Sequence, residues 1–168
     1  MKITQNLDND WTMRTEKFGT LPCKVPCSLY SVLLDHKKIP DPYYRENEYE
    51  ARELLAKDYV FESDFSVPEA LLNKKHLVLV CEGLDTLADV YLNEKLVGKA
   101  DNMHRTWRFD CNEALQKENH IRIYFHSALT YIREHEGTPG KEITFEATGV
   151  ILGNQYIRKA HSMFGWDW

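Results

Sequence analysis

Near the C-terminal end of the 168-residue sequence, Phe164-Gly165-Trp166-Asp167-Trp168 sets a carboxylate between two indoles. Sugars offer an apolar patch of C–H groups that lies against an aromatic face, and a fringe of hydroxyls that donate to carboxylates. An acid flanked by tryptophans supplies both. The competing reading of the same residue types makes the tryptophans core and Asp167 a turn or cap residue. A polar loop, Lys99-Ala100-Asp101-Asn102-Met103-His104, follows a strand-like run. It presents Asp101 or Asn102 at a rim, either as a binding loop on a rigid scaffold or as an ordinary Asx turn. Arg158-Lys159 is available to pair with an acid or simply to be solvated. The stretch Asp41-Pro42-Tyr43-Tyr44-Arg45-Glu46-Asn47-Glu48 reads best as a packed, salt-bridged connector, because aromatic edges and Arg forks satisfy one another.

Other chemistries find little support. Cys23 and Cys27 are the only close pair among four cysteines, and no second Cys or His pair completes a tetrahedral site. They read as free, buried thiols, and the seven histidines show no paired ligand spacing either. No metal and no cofactor is expected. The net charge of -5, without a Lys/Arg cluster, lacks the footprint that phosphate backbones demand, so nucleic acid is not expected as a partner. No run approaches the ~20 apolar residues that span a bilayer, and Met1-Lys2 leads directly into polar sequence. The expectation is no membrane association and a cytoplasmic location.

The elements that must position these residues are mostly strands. One hydrophobic core typically serves ~100–200 residues, so residues 1–168 read as a single domain. Tyr59, Phe61, Phe65 and Val67 alternate with Glu62, Asp64 and Ser66; Ala88, Val90 and Leu92 with Asp89, Tyr91 and Asn93; Ile121, Ile123 and Phe125 with Arg122, Tyr124 and His126. Period two places alternate side chains on one face of a sheet. Leu77 to Cys81 is continuously apolar, as for a strand covered on both sides. Leu92-Asn93-Glu94-Lys95-Leu96 predicts a hairpin turn. Trp107 and Phe109, alternating with Arg108 and Asp110, predict another strand before a turn at Cys111 to Leu115.

Two short helices are predicted before Tyr59. Ser28 caps one that presents Leu29, Val32, Leu33 and His36, and Asn47 with Glu50 starts another over Tyr49 to Lys57. Ile39-Pro40-Asp41-Pro42 between them must be a loop. From Ala128 to Gln155 the pattern gives a short helix and then a long, glycine-interrupted loop. The sum is an all-β, antiparallel sandwich with short helical decorations.

Ordered blocks run the length of the sequence, from Val25-Pro26-Cys27-Ser28 through Ile39-Pro40-Asp41-Pro42-Tyr43-Tyr44-Arg45-Glu46-Asn47-Glu48, Gly83-Leu84-Asp85-Thr86 and Val90-Tyr91-Leu92-Asn93. Asp101-Asn102-Met103, Trp107-Arg108-Phe109-Asp110 and Ile157-Arg158-Lys159-Ala160 continue them into the Trp-Asp-Trp motif. In these blocks the sequence resembles the β-mannosidases of glycoside hydrolase family 2 over nearly its whole length. Cys27 stands where that family usually has Gly, and Tyr59 where it usually has Trp.

The resemblance implies a jelly-roll, galactose-binding-domain-like sandwich packed beside a (β/α)8 barrel. The two catalytic glutamates of the family lie on that barrel, so no catalytic residue is assigned to this chain. Asp167 would then bond hydroxyls of a mannosyl unit in the -1 subsite, with Trp166 and Trp168 as its wall and Asn102 reaching in from the rim. The substrate would be a β-mannoside or mannooligosaccharide. The alternative is a free-standing carbohydrate-binding module or lectin. Because the sequence stops inside the motif, the expectation is a sandwich lacking its last strand, inactive alone and prone to self-association through the open edge.

Overall fold

The computed structural model describes residues 2–8, 10–54, 56–136 and 153–164. Among the described residues, eight strands form two antiparallel sheets. The larger runs in the order β2 (Gly19–Cys23), β1 (Trp11–Thr15), β3 (Tyr59–Ser66), β8 (Glu118–Phe125), β5 (Ala88–Leu92), β6 (Lys95–Ala100); the smaller pairs β4 (Val78–Cys81) with β7 (Trp107–Asp110). Directly paired residues share a face of a sheet. The register sets Met13 against both Leu21 and Phe61, Phe61 against Ile123, and Ile123 against Val90, which makes one continuous apolar face. The alternation in β3, β5 and β8 therefore does what its period predicts.

Phe109 of β7 joins the core built on that face, together with Leu29, Val32 and Leu33 of α1 (Leu29–Asp35). Contact between the layers is close at β6. A Cβ on Gly98 would stand 2.1 Å from Phe109 Cδ1, so only a residue without one lets the ring seat there. The other face of the large sheet is polar. There Arg14 pairs with Glu62 at 3.0 Å, and Arg122 pairs with Glu94 at 2.9 Å while lying over the Tyr91 ring. Such half-exposed pairs contribute little stability each.

The capped helix is present as expected. The Ser28 hydroxyl accepts from Ser31 N at 3.1 Å, and Ser31 Oγ accepts in return from Ser28 N at 2.9 Å. The second helix, α2 (Asn47–Leu54), differs from the expected capping arrangement. Asn47 is already helical, and its amide donates backwards to Asp41 O at 2.8 Å instead of closing a box with Glu50. α3 (Glu69–Leu72), a single turn not anticipated, follows β3. α4 (Ala128–His135) is the expected helix after β8, with the Ser127 hydroxyl accepting from Thr130 N. The loop expected after it falls largely on 137–152, outside the described residues.

Three sequence expectations need correction. Leu77 to Cys81 is not covered on both sides: Leu79 and Cys81 pack inward, but Val78 and Val80 are 50% and 41% exposed, because alternate residues of β4 point away from the core on the solvent side of the β4–β7 sheet. The Asp41–Glu48 connector is not packed. Tyr43 is 95% exposed, Tyr44 lies open under the Arg45 guanidinium, and only Pro42 and Asn47 are half-buried. Cys27 is exposed and Cys23 half-buried, since the pair sits where β2 leaves the sheet for the Ser28 cap. All four thiols are free. Burial first, then the neighbouring Cys27, pushes the Cys23 thiol up to about 12, which leaves it a poor nucleophile at neutral pH.

The β5–β6 turn carries a half-buried, well-bonded polar residue, Asn93. Asn93 and Glu94 both have positive φ, 50° and 64°, as a two-residue hairpin turn with matching twist requires. Asn93 Nδ2 donates to Ala114 O at 2.8 Å and to Asn119 Oδ1 at 2.9 Å, while its Oδ1 accepts from His120 N at 2.8 Å. Asn93→Ala leaves these buried partners unpaired and puts a residue with no local bond into the left-handed region. We expect a loss of roughly 1–3 kcal/mol in a urea unfolding curve. A loss below a few tenths would show that water replaces the amide.

Candidate functional site

Tyr59, Phe125, Ala88 and Ala100 stand in one row across the large sheet, each opposite the next. The segments that leave this row therefore gather at one rim: 82–87 before β5, 101–106 after β6, and 126–127 after β8. Here the described C-terminal segment is also attached.

The loop after β6 is built around Asn102. Its Oδ1 accepts from His104 N at 2.8 Å, an Asx turn, and its carbonyl oxygen accepts from Trp107 Nε1 at 3.1 Å. The Trp107 indole is stacked parallel to Phe109 and carries Arg105 above it, 4.3 Å from the ring. Asn102 Nδ2 has no partner among the described residues, and Asn102 is half-buried, so both N–H donors of its amide remain available. Asp101, its neighbour, is exposed. The Asx-turn reading of this loop is present at Asn102, which lies at the rim.

The segment 157–160 runs beside the loop. Asn102 and Arg158 form a parallel bridge, Met103 N donates to Arg158 O at 3.1 Å, and Ala160 N donates to Met103 Sδ at 3.0 Å. Lys159 Nζ reaches back to Asp85 Oδ2, and Asp85 Oδ1 accepts from the Thr86 hydroxyl. Of the two readings left open for Arg158-Lys159, Lys159 follows the paired one, with Asp85, 74 residues earlier, while the Arg158 side chain is exposed. The neighbouring Tyr59 phenol is pushed up, first by burial and then by the Asp85 carboxylate. Just upstream, Tyr156 and Ile157 pack with Ile132 of α4 in a small second core. Gly153, at φ 120°, is required there because a Cβ would stand 2.2 Å from Ile132 Cγ2.

Of the residues expected to contact sugar, Asn102 is at this rim. Trp166, Asp167 and Trp168 lie outside the described residues. Asp85 was not singled out by residue type. The signal available was an acid between Leu84 and Thr86, both of which prove buried. Among the described residues, no three His, Cys, Asp or Glu side chains gather as a metal site would need, and no helix is long and apolar enough to cross a membrane.

The family model for the glycosyl hydrolase 2 galactose-binding domain-like family matches residues 11–168. The chain belongs to that family. The β-mannosidase of Mus musculus is 32% identical over 154 residues, which cover 88% of this chain and 17% of that protein. Among solved structures, the β-D-mannosidase from Dictyoglomus thermophilum superimposes with a TM-score of 0.83 at 30% identity, over 96% of this chain and 20% of that one. A β-D-glucuronidase structure for the same organism reaches a TM-score of 0.54 at 21% identity, over 75% of this chain and 20% of that one, and shows the fold alone. The chain thus spans about a fifth of the length of the relatives it matches. The galactose-binding-like domain has the expected composition of antiparallel sheets with a few short helices, and its similarity to β-mannosidases extends over most of its residues.

Proposed function

We propose that this chain is the N-terminal accessory domain of a β-mannosidase that removes terminal β-linked mannose with retention of configuration. Its similarity to β-mannosidases over nearly the whole of the described fold supports this reading most directly. In that reading the domain packs on a (β/α)8 barrel that carries both catalytic glutamates. One attacks the anomeric carbon, the other protonates the leaving oxygen, and their carboxyls lie roughly 5 Å apart. The galactose-binding-like domain supplies part of the -1 subsite wall: Asp167 accepts from mannosyl hydroxyls, Trp166 and Trp168 cover the C–H face, and Asn102 Nδ2 donates from the rim.

A subsite shared between domains is half a pocket in either one alone. The purified 168-residue chain is therefore expected not to hydrolyse an aryl β-mannoside and to bind mannose only weakly, with no saturable heat in the micromolar range by calorimetry. The longer polypeptide is expected to hydrolyse the same substrate. Hydrolysis by rigorously purified chain would sink the accessory role, and tight mannose binding would make the chain a self-sufficient lectin.

A further inference from the structure

The segment 153–164 is held in two places by different means. Tyr156 and Ile157 are buried against α4. Among the described residues, 158–160 pack into neither apolar core. Their backbone attachment to the rim loop is a single bridge with one N–H···O bond, followed by an amide donating to a thioether, a weak acceptor. An isolated bridge of this kind opens readily, because so few bonds oppose the freedom gained. Across it stands the Lys159–Asp85 ion pair, with side chains only 22% and 34% exposed. Asp85 is oriented from below by Thr86 and sits in the rim segment before β5, on a different loop from Asn102. The pair therefore ties the C-terminal strap to a second part of the rim. In sequence, Lys159 precedes Asp167 by eight residues.

We propose that Asp85 and Lys159 are a positioning pair: their contact fixes the strap 157–160 on the rim and so sets the point from which the chain continues to Trp166-Asp167-Trp168. The role rests on the reading that Asp167 binds sugar. Neither residue touches substrate in this account. The cost of losing the pair is misplacement of the motif, and small displacements of a binding group can cost up to a hundredfold in rate.

Hydrogen exchange on the 168-residue chain tests the clamp, with Lys159→Met, Asp85→Asn, Lys159→Arg and the charge-swapped D85K/K159D. In Lys159→Met and Asp85→Asn, the amides of Met103 and Ala160 should exchange about tenfold faster or more, while those of Val90 and Ile123 in the core stay unchanged. Lys159→Arg, which keeps the charge, should exchange like the parent chain, and the swap should recover most of the protection. In the full-length β-mannosidase, the two neutralising variants should lower kcat/KM on an aryl β-mannoside about tenfold, with recovery in Lys159→Arg.

Strap amides that do not respond, or that respond only together with the core amides, overturn the clamp. Faster strap exchange with kcat/KM within twofold of the parent overturns the positioning role, provided that Asp167→Ala is strongly impaired in the same enzyme. If Asp167→Ala is itself silent, the sugar-contact reading fails and the positioning role fails with it. The exchange data then still decide whether the clamp exists.

Discussion

Asp167→Ala in the longer enzyme of the proposed accessory role is expected to lower kcat/KM on an aryl β-mannoside about a hundredfold or more, equivalent to ~3 kcal/mol of lost transition-state stabilisation. The size follows from the chemistry of a carboxylate that accepts from sugar hydroxyls. Charge-assisted bonds are roughly twice as strong as neutral ones, and contacts that tighten as the ring distorts towards an oxocarbenium-like state accelerate the reaction itself. The loss should therefore appear in kcat as well as KM. Asp167→Asn, which keeps the shape and one acceptor oxygen, should fall between the parent and Asp167→Ala. A domain that merely spaces other parts of the protein predicts unchanged turnover, and that outcome would return Asp167 to the turn-residue reading that its type alone allows.

Phe125→Ala should be the most damaging single substitution in the core, at about 3–5 kcal/mol. Phe125 closes β8 at the rim row and is buried. Its ring stacks on Tyr59 at 5.2 Å between centroids and meets Phe61 edge-on at 5.9 Å, while Tyr59 and Phe61 contact each other at 6.0 Å. Removing one ring of this triad loses its burial, leaves a cavity, and forfeits two favourable ring geometries together. Domains are typically stable by only ~5–15 kcal/mol, so the midpoint of thermal unfolding should fall by roughly 6–20 °C. Scanning calorimetry against a surface control such as Lys74→Ala would measure it. A shift of a degree or two would show that the rim row repacks freely, and would weaken the view of this end of the sandwich as a rigid platform.

Much of this architecture could be read before any coordinates. Strands β3, β5 and β8 carry one buried face each, and a period of two survives whatever packs against it. Ser28 and Ser31 act within four residues of each other, so the first helix was legible from local chemistry. The hairpin β1–β2 was missed, although Trp11 and Met13 alternate with Thr12 and Arg14. Five residues without a strong turn dipeptide after them give too short a pattern to stand out. Leu77 to Cys81 misled for a related reason. Val78 and Val80 are as apolar as Leu79 and Cys81, and only the placement of the β4–β7 sheet, with one face on the core, leaves them outside. The tyrosines around Arg45 misled in the other direction, since residue types that can satisfy one another here remain open to solvent.

The candidate site divides along the same line. Sequence determined the family resemblance, the alternating core faces, the rim loop with Asn102 and the presence of an acid between two tryptophans, because these are properties of neighbouring residues or of ordered blocks along one chain. Tertiary structure alone decided that Asp85 is the partner of Lys159, that Arg158 bridges to Asn102, and that both events occur beside the row formed by Tyr59, Phe125, Ala88 and Ala100. An ion pair between residues 74 positions apart leaves no local pattern. It exists because the register of a six-stranded sheet brings the segments before β5 and after β6 to one edge, where the returning C-terminal segment meets both.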